Sequence, residues 1–175
     1  MNNARKGVLH TAEADVKFER MGKMKQVNVY TIKMVKESGK RYDLDHKKIR
    51  EPKDVANVIQ TVLDLNSEAV EKFGILTVNT KHEVAGVHVI SMGSLSASIV
   101  HPREVFKPAI LNNSSGIVLF HNHPSGDPTP SKEDIAITKR LIEAGKLLGI
   151  NVLDHIIVGQ DEIYNSFRET TDIEF

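Results

Sequence analysis

The chain reads as an α/β protein. Apolar, β-branched runs of strand length recur at residues 27–34, 70–78, 84–91, 117–120 and 151–158. Among them lie stretches with apolar residues at helical spacing, opening near Glu51, His101 and Ser131. The 175 residues suffice for one genuine core, and no repeat, low-complexity tract or convincing second domain interrupts the pattern.

Taken in order, residues 1–17 are polar and weakly patterned and read as a loose arm. The alternation at 27–34, a turn at 37–40 and a short run at 41–44 predict a hairpin, so residues 1–50 form an arm and hairpin extension. The charge run from His46 to Glu51 reads as a solvated linker. Pro52 with acids nearby, then Val55, Val58, Ile59, Val62 and Leu63, predicts a helix that fades around Leu65. Residues 70–78 and 84–91 read as an antiparallel strand pair, and 94–100 as a further extended run. A second helix starts at His101-Pro102, where Pro108 either kinks it or marks a later start. Ile117 to Phe120 is a wholly apolar strand of the buried kind. Ser131 caps an amphipathic helix ending near Gly145 or Gly149, and 151–158 is the last strand, before a short terminal segment.

Composition limits the functions available. Lys plus Arg and Asp plus Glu number 23 each, so zero formal charge gives no call for a polyanionic partner. With no cysteine, disulfides and thiolate metal sites are excluded. No apolar run is long enough for a bilayer and the N-terminus lacks an apolar signal core, so a cytoplasmic protein without membrane contact is expected.

The chemistry concentrates in residues 121–134, His-Asn-His-Pro-Ser-Gly-Asp-Pro-Thr-Pro-Ser-Lys-Glu-Asp. His121 and His123, spaced i, i+2 at the end of an extended segment, point to one side. Three prolines stiffen the following loop. Asp134 stands three residues after the Ser131 cap, near the positive end of a helix. Two neutral imidazoles and a carboxylate suit a zinc ion with a fourth position open for water. On spacing alone, a hydrogen-bonded histidine pair without metal is an equal alternative. His155 reads as a hydrogen-bonded core residue or an outer support behind the ligands rather than as a ligand, and Asp154 could also support a ligand histidine. Asp127 shapes the loop, Lys132, Lys139, Arg140 and Lys146 form a solvated face, and His82, His88 and His101 take no role.

His121-x-His123, then Ser131-x-x-Asp134, with a glutamate upstream at a helix-to-strand junction, resembles the JAMM motif of the JAB/MPN metallopeptidase family. The full 121–134 run resembles its RadC-type branch, as do His101-Pro-Arg-Glu-Val-Phe-Lys and Val152-Leu-Asp-His-Ile-Ile-Val-Gly159. The resemblance covers about residues 51–167 and marks 51–175 as a RadC-like JAB/MPN domain. That branch often carries a helix-hairpin-helix segment with no counterpart in residues 1–50, so a shortened form is expected. The resemblance implies a mixed sheet flanked by helices, of cytidine-deaminase-like architecture. It implies one zinc ion per chain on His121, His123 and Asp134, with Glu71 as general base and then acid, and with Ser131 stabilising the oxyanion beside its capping role. Glu68 and Glu83 compete with Glu71. Glu71 is preferred because a strand starts there soon after a helix, and Glu71-x-x-Gly74-Ile-Leu resembles the family's segment.

The leading expectation is therefore a zinc hydrolase of peptide or isopeptide bonds. A nucleic-acid-associated role in DNA repair, recombination or phage and plasmid defence is the alternative that the RadC branch suggests, although charge balance and scarce aromatics do not favour it. A metal-binding scaffold without turnover is a third. A zinc deaminase is disfavoured, because its cysteine pair is missing. The run at 84–91 could pair with an extended substrate or a second copy.

Overall fold

The structure is a computed structural model that describes residues 48–93, 100–161 and 163–175. The arm, the N-terminal hairpin and the extended run at 94–99 lie outside the described residues. Helix α1 (Pro52–Leu63) begins with proline in its first turn and ends at Asp64, in the left-handed region, before a 3-10 turn at Leu65–Ser67. Strands β1 (Lys72–Val78) and β2 (Val84–Met92) follow, then α2 (Pro102–Leu111), β3 (Gly116–Asn122), α3 (Lys132–Leu148), β4 (Asn151–Val158), β5 (Tyr164–Ser166) and a one-turn helix, α4 (Phe167–Thr170).

The five strands form one mixed sheet in the order β2-β1-β3-β4-β5. β3 runs parallel to β4, joined through α3, and every other neighbouring pair is antiparallel. Period-two alternation separates two apolar layers. Phe73, Ile75, Ile117, Leu119 and Val152 meet Val105, Phe106 and Ala109 of α2 and Ile137, Leu141 and Ile142 of α3. Leu76, Val78, Val118, Phe120, Ile156 and Val158 meet Val55, Val58 and Ile59 of α1 on the opposite face. This is the α/β sheet flanked by helices that was expected. β3 is buried along its whole length.

Several local details depart from expectation. Pro108 lies inside α2, which runs unbroken from Pro102. Proline removes one helix donor, but Val105, Phe106 and Ala109 are buried against the sheet and hold the turn. His101, given no role above, caps α2, its Nδ1 accepting from the Arg103 N–H at 3.3 Å. Lys48 and Arg50 are exposed, as a solvated linker requires, yet Lys48 bridges to Glu83 and the Ile49 N–H donates to the His82 carbonyl at 2.9 Å. α3 passes through Gly145 and stops at Gly149. No helix among the described residues is long and apolar enough to cross a membrane.

A break in register decides which side chains of β4 face which layer. Ile117 pairs with Val152 but Val118 pairs with Asp154, so Leu153 is an extra residue, a bulge. Without it, the alternation beginning at Val152 would bring Asp154 to the α2–α3 layer. With it, His155 takes that face.

Gly74 sits on β1 between its two neighbouring strands, β2 and β3. A Cβ there would fall against Phe120 Cζ, 2.5 Å from the His88 carbonyl oxygen and 2.8 Å from Phe120 Cε2. Gly74→Ala should therefore destabilise the domain by about 1–3 kcal/mol in urea unfolding; an unchanged midpoint would show that β1 and β2 can separate freely.

Candidate metal centre

Alternation on β3 distributes the histidine motif. His121 follows Ile117 and Leu119 onto the α2–α3 face, while Asn122 follows Val118 and Phe120 onto the α1 face. His123 lies one residue past the strand, its N–H bonded to the Val158 carbonyl at 2.9 Å. His121 Nε2 and His123 Nε2 are 3.0 Å apart. Asp134 arrives in the first turn of α3, with Oδ1 3.4 Å from His121 Nε2 and Oδ2 3.5 Å from His123 Nε2. Glu71, one residue before β1, brings Oε1 to 3.9 Å from His121 Nε2. Donor atoms of these four residues all lie within 4.8 Å of one another.

The donor set fits a small divalent cation. Tetrahedral nitrogen and oxygen ligands at about 2.0–2.1 Å from zinc stand about 3.3 Å from each other. The His121, His123 and Asp134 atoms already have that spacing, and Glu71 stands farther back. Of the competing glutamates, Glu68 pairs with Lys72 and Glu83 accepts from Asn79 Nδ2 at 2.9 Å. Glu71 alone of the three joins the cluster.

Each member is held from behind. Burial works against ionisation of Asp134, but the imidazoles of His121 and His123 beside it and the hydrogen bonds from Ser131 outweigh it and hold the carboxyl well below the usual carboxylate range. Ser131 and Asp134 form a capping box: Ser131 N–H donates to Oδ2 at 2.8 Å, its hydroxyl donates to the same oxygen at 2.6 Å, and Asp134 N–H returns a bond to Oγ. His123 Nδ1 meets the Asp127 carbonyl at 2.6 Å, so Asp127 contributes its backbone as well as shaping the loop through Thr129. The hydrogen bond to Asp134 raises the His123 pKa against the opposing effect of burial.

One support, Asn122, was not foreseen; of the two that were, His155 and Asp154, one stands behind His121. Asn122 Oδ1 accepts from Lys72 N–H at 2.8 Å, and its Nδ2 donates to the Val70 carbonyl at 3.2 Å. These bonds grip the backbone on both sides of Glu71 and set the carboxylate's place relative to the two histidines. An amide wedged between two ligand-type histidines on a buried strand was the legible sign. His155, rather than Asp154, stands behind His121, with ring nitrogens 2.8 Å apart. Burial, then the neighbouring His121, pushes its pKa well below an ordinary histidine's. Asp154 faces the α1 layer because of the β4 bulge and accepts from Ser166 Oγ, Arg168 N–H and His155 N–H.

Lys132, Lys139, Arg140 and Lys146 are exposed along α3, as expected. His82 lies in the β1–β2 turn, and His88 is half-buried on β2, 2.6 Å from Asn112 Nδ2. Neither joins the cluster. Glu71, His123, Pro124, Ser125, Ser131 and Glu133 line an open cleft of about 560 Å³, with Asp134 at its floor.

The loop carrying His123 rests on Gly159. Gly126 has a positive φ of 86°, its carbonyl accepts from Gln160 N–H at 3.1 Å, and a Cβ on Gly159 would strike that carbonyl and lie 3.0 Å from Pro128 Cδ. Gly159→Ala should lift the loop and weaken divalent-metal binding roughly tenfold, in the range for losing an outer support. Chelator competition measures this; wild-type affinity in a folded variant would mean the loop does not set the position of His123.

Comparison with known proteins gives the chain's family. A family model described as a RadC-like JAB domain matches residues 49–172. A UPF0758 protein of Alkaliphilus metalliredigens is 57% identical over 137 residues, covering 76% of this chain and 58% of the relative. A UPF0758 protein of Methanosarcina mazei is 50% identical over 123 residues, covering 70% and 52% respectively. The chain thus spans little more than half the length of these curated relatives. By the extent of the family match and these identities, the chain belongs to the RadC-like JAB domain family.

Proposed function

We propose that the chain is a zinc-dependent hydrolase of peptide or isopeptide bonds, with a protein or peptide as substrate. The observation that carries this reading is the set-back position of Glu71. The ring nitrogens of His121 and His123 and the Asp134 carboxylate lie 3.0–3.5 Å from one another, and a second carboxylate, Glu71, stands 3.9 Å from His121 and lines an open cleft. His121, His123 and Asp134 would hold the zinc, and the ion would supply Lewis acidity that acidifies a water and polarises the scissile carbonyl.

The chain's own residues account for the rest. Glu71 takes the proton from the attacking water as the water oxygen bonds to the carbonyl carbon. It then delivers that proton to the amide nitrogen as the C–N bond breaks, so the products are a carboxylic acid and an amine, which leave as carboxylate and ammonium once the second water proton has passed to the amine. Asn122 keeps Glu71 at that station through the backbone of residues 70–72. The Ser131 hydroxyl, bound to Asp134 Oδ2 in the free protein, first orients the ligand carboxylate. Turned toward bound substrate, it would be a donor for the oxyanion. Among the described residues the cleft is open enough to admit an extended chain.

Glu71→Gln should retain bound zinc and lose roughly 10²–10⁴-fold in turnover on any peptide or isopeptide that the wild type cleaves in a chelator-sensitive manner. Unchanged turnover in the zinc-loaded variant would remove Glu71 from the reaction. If the zinc-loaded wild type leaves a broad library of peptides and isopeptide-linked lysines intact, the hydrolase reading itself is lost.

A further inference from the structure

Behind the metal cluster runs a line of buried polar atoms that the proposed reaction does not use. His121 Nδ1 is 2.8 Å from His155 Nε2, His155 Nδ1 is 2.6 Å from Thr138 Oγ1, and Thr138 Oγ1 is 2.6 Å from the backbone carbonyl of Asp134. His121, His155 and Thr138 are each 0% exposed, so no solvent can supply a missing partner. The line starts on one residue of the cluster and ends on the backbone of another.

The 2.6 Å separation of Thr138 Oγ1 from a carbonyl oxygen needs a proton between them, and that sets the direction of donation along the line. A carbonyl can only accept, so Thr138, which has a single hydroxyl proton, must give it to Asp134. Thr138 Oγ1 is then an acceptor, and His155 Nδ1 must carry a proton to donate to it. A neutral ring with its proton on Nδ1 has a bare Nε2. His155 Nε2 therefore accepts from His121, whose Nδ1 carries the proton. That leaves the lone pair of His121 on Nε2, the nitrogen facing His123, Asp134 and Glu71. The reverse direction places a proton on His121 Nε2, aims it into the cluster, and takes the Thr138 hydroxyl away from the Asp134 carbonyl.

We propose that His155 and Thr138 are positioning residues that lock His121 into the tautomer with a free Nε2 lone pair, using the Asp134 carbonyl as the fixed end of the chain. The lock is also geometric. The His155 ring lies between Phe73, edge-on at a centroid distance of 5.8 Å, and Phe167 at 4.6 Å, which leaves little freedom to rotate. Phe73 also stacks on His121 at 6.4 Å. Asp134 thus meets His121 on two sides, its carboxylate facing Nε2 in front at 3.4 Å and its backbone carbonyl ending the chain behind. The role in metal binding rests on the zinc reading above, whereas the direction of the hydrogen bonds stands independently of it.

Nitrogen-15 NMR of histidine-labelled, metal-free wild-type protein tests the direction first. The expected spectrum has His155 and His121 each protonated on Nδ1 and bare on Nε2. A proton on Nε2 of His155 would overturn the proposal whether or not the protein takes up zinc. Zinc affinity by chelator competition then tests the consequence. His155→Leu, which removes the acceptor, should weaken binding roughly 10–100-fold. His155→Gln, whose amide can accept from His121 and donate to Thr138, should recover most of that loss. Wild-type affinity in a folded His155→Leu protein would overturn the proposal. If the wild type binds no zinc, the hydrolase reading fails, and the NMR tautomer alone decides the direction of the chain.

Discussion

Polar groups without access to water are the constraint on which this structure rests. His121, Asn122, Asp134, Thr138, Asp154 and His155 are all buried, and an unpaired polar atom there would cost on the order of 1–3 kcal/mol. Each of them has a partner, and the partners belong to different elements: β3 to the segment before β1, β3 to β4, β4 to α3. Satisfying these bonds brings together residues from positions 71 to 155 and, in doing so, assembles the metal cluster. The candidate site is therefore less a cavity furnished with ligands than the place where several obligatory hydrogen-bond networks meet.

The apolar layers serve that arrangement by making the sheet stiff. β1, β3 and β4 are covered on both faces, so a ligand side chain at the end of β3 can hold its position only through neighbours that are themselves fixed. The loop from Pro124 to Pro130 adds the same stiffness outside the sheet. Its carbonyls at Gly126 and Asp127 face Gln160 and His123, so a loop on the surface still has its backbone committed. Glu71 is different. It is partly exposed, and its backbone is held on both sides through Asn122.

Much of this was legible in the residues. The double-sided apolar strand before His121, the Ser131 cap three residues ahead of Asp134, and the helix-to-strand junction at Glu71 each follow from a periodicity or a capping rule acting over a few positions. Less was legible where structure depends on a partner distant in the chain. The exchange of Asp154 for His155 behind His121 depends on one extra residue, Leu153, and strand alternation read from sequence has no means of signalling a bulge. Thr138, four residues after Asp134, lies on the same face of α3 and could have been picked out by spacing, had His155 been known to face it. β5 and α4 span only Tyr164–Ser166 and Phe167–Thr170, too few residues for a period to appear. Pro108 stays within α2 because tertiary burial overrides local preference.

The proposed hold of His121, His123 and Asp134 on a zinc ion can be checked by elemental analysis of protein purified without chelators, wild type beside His123→Ala. One zinc per chain is expected in the wild type and little or none in a folded His123→Ala protein. A wild type free of metal, or a variant that retains its full zinc content, would contradict that proposal.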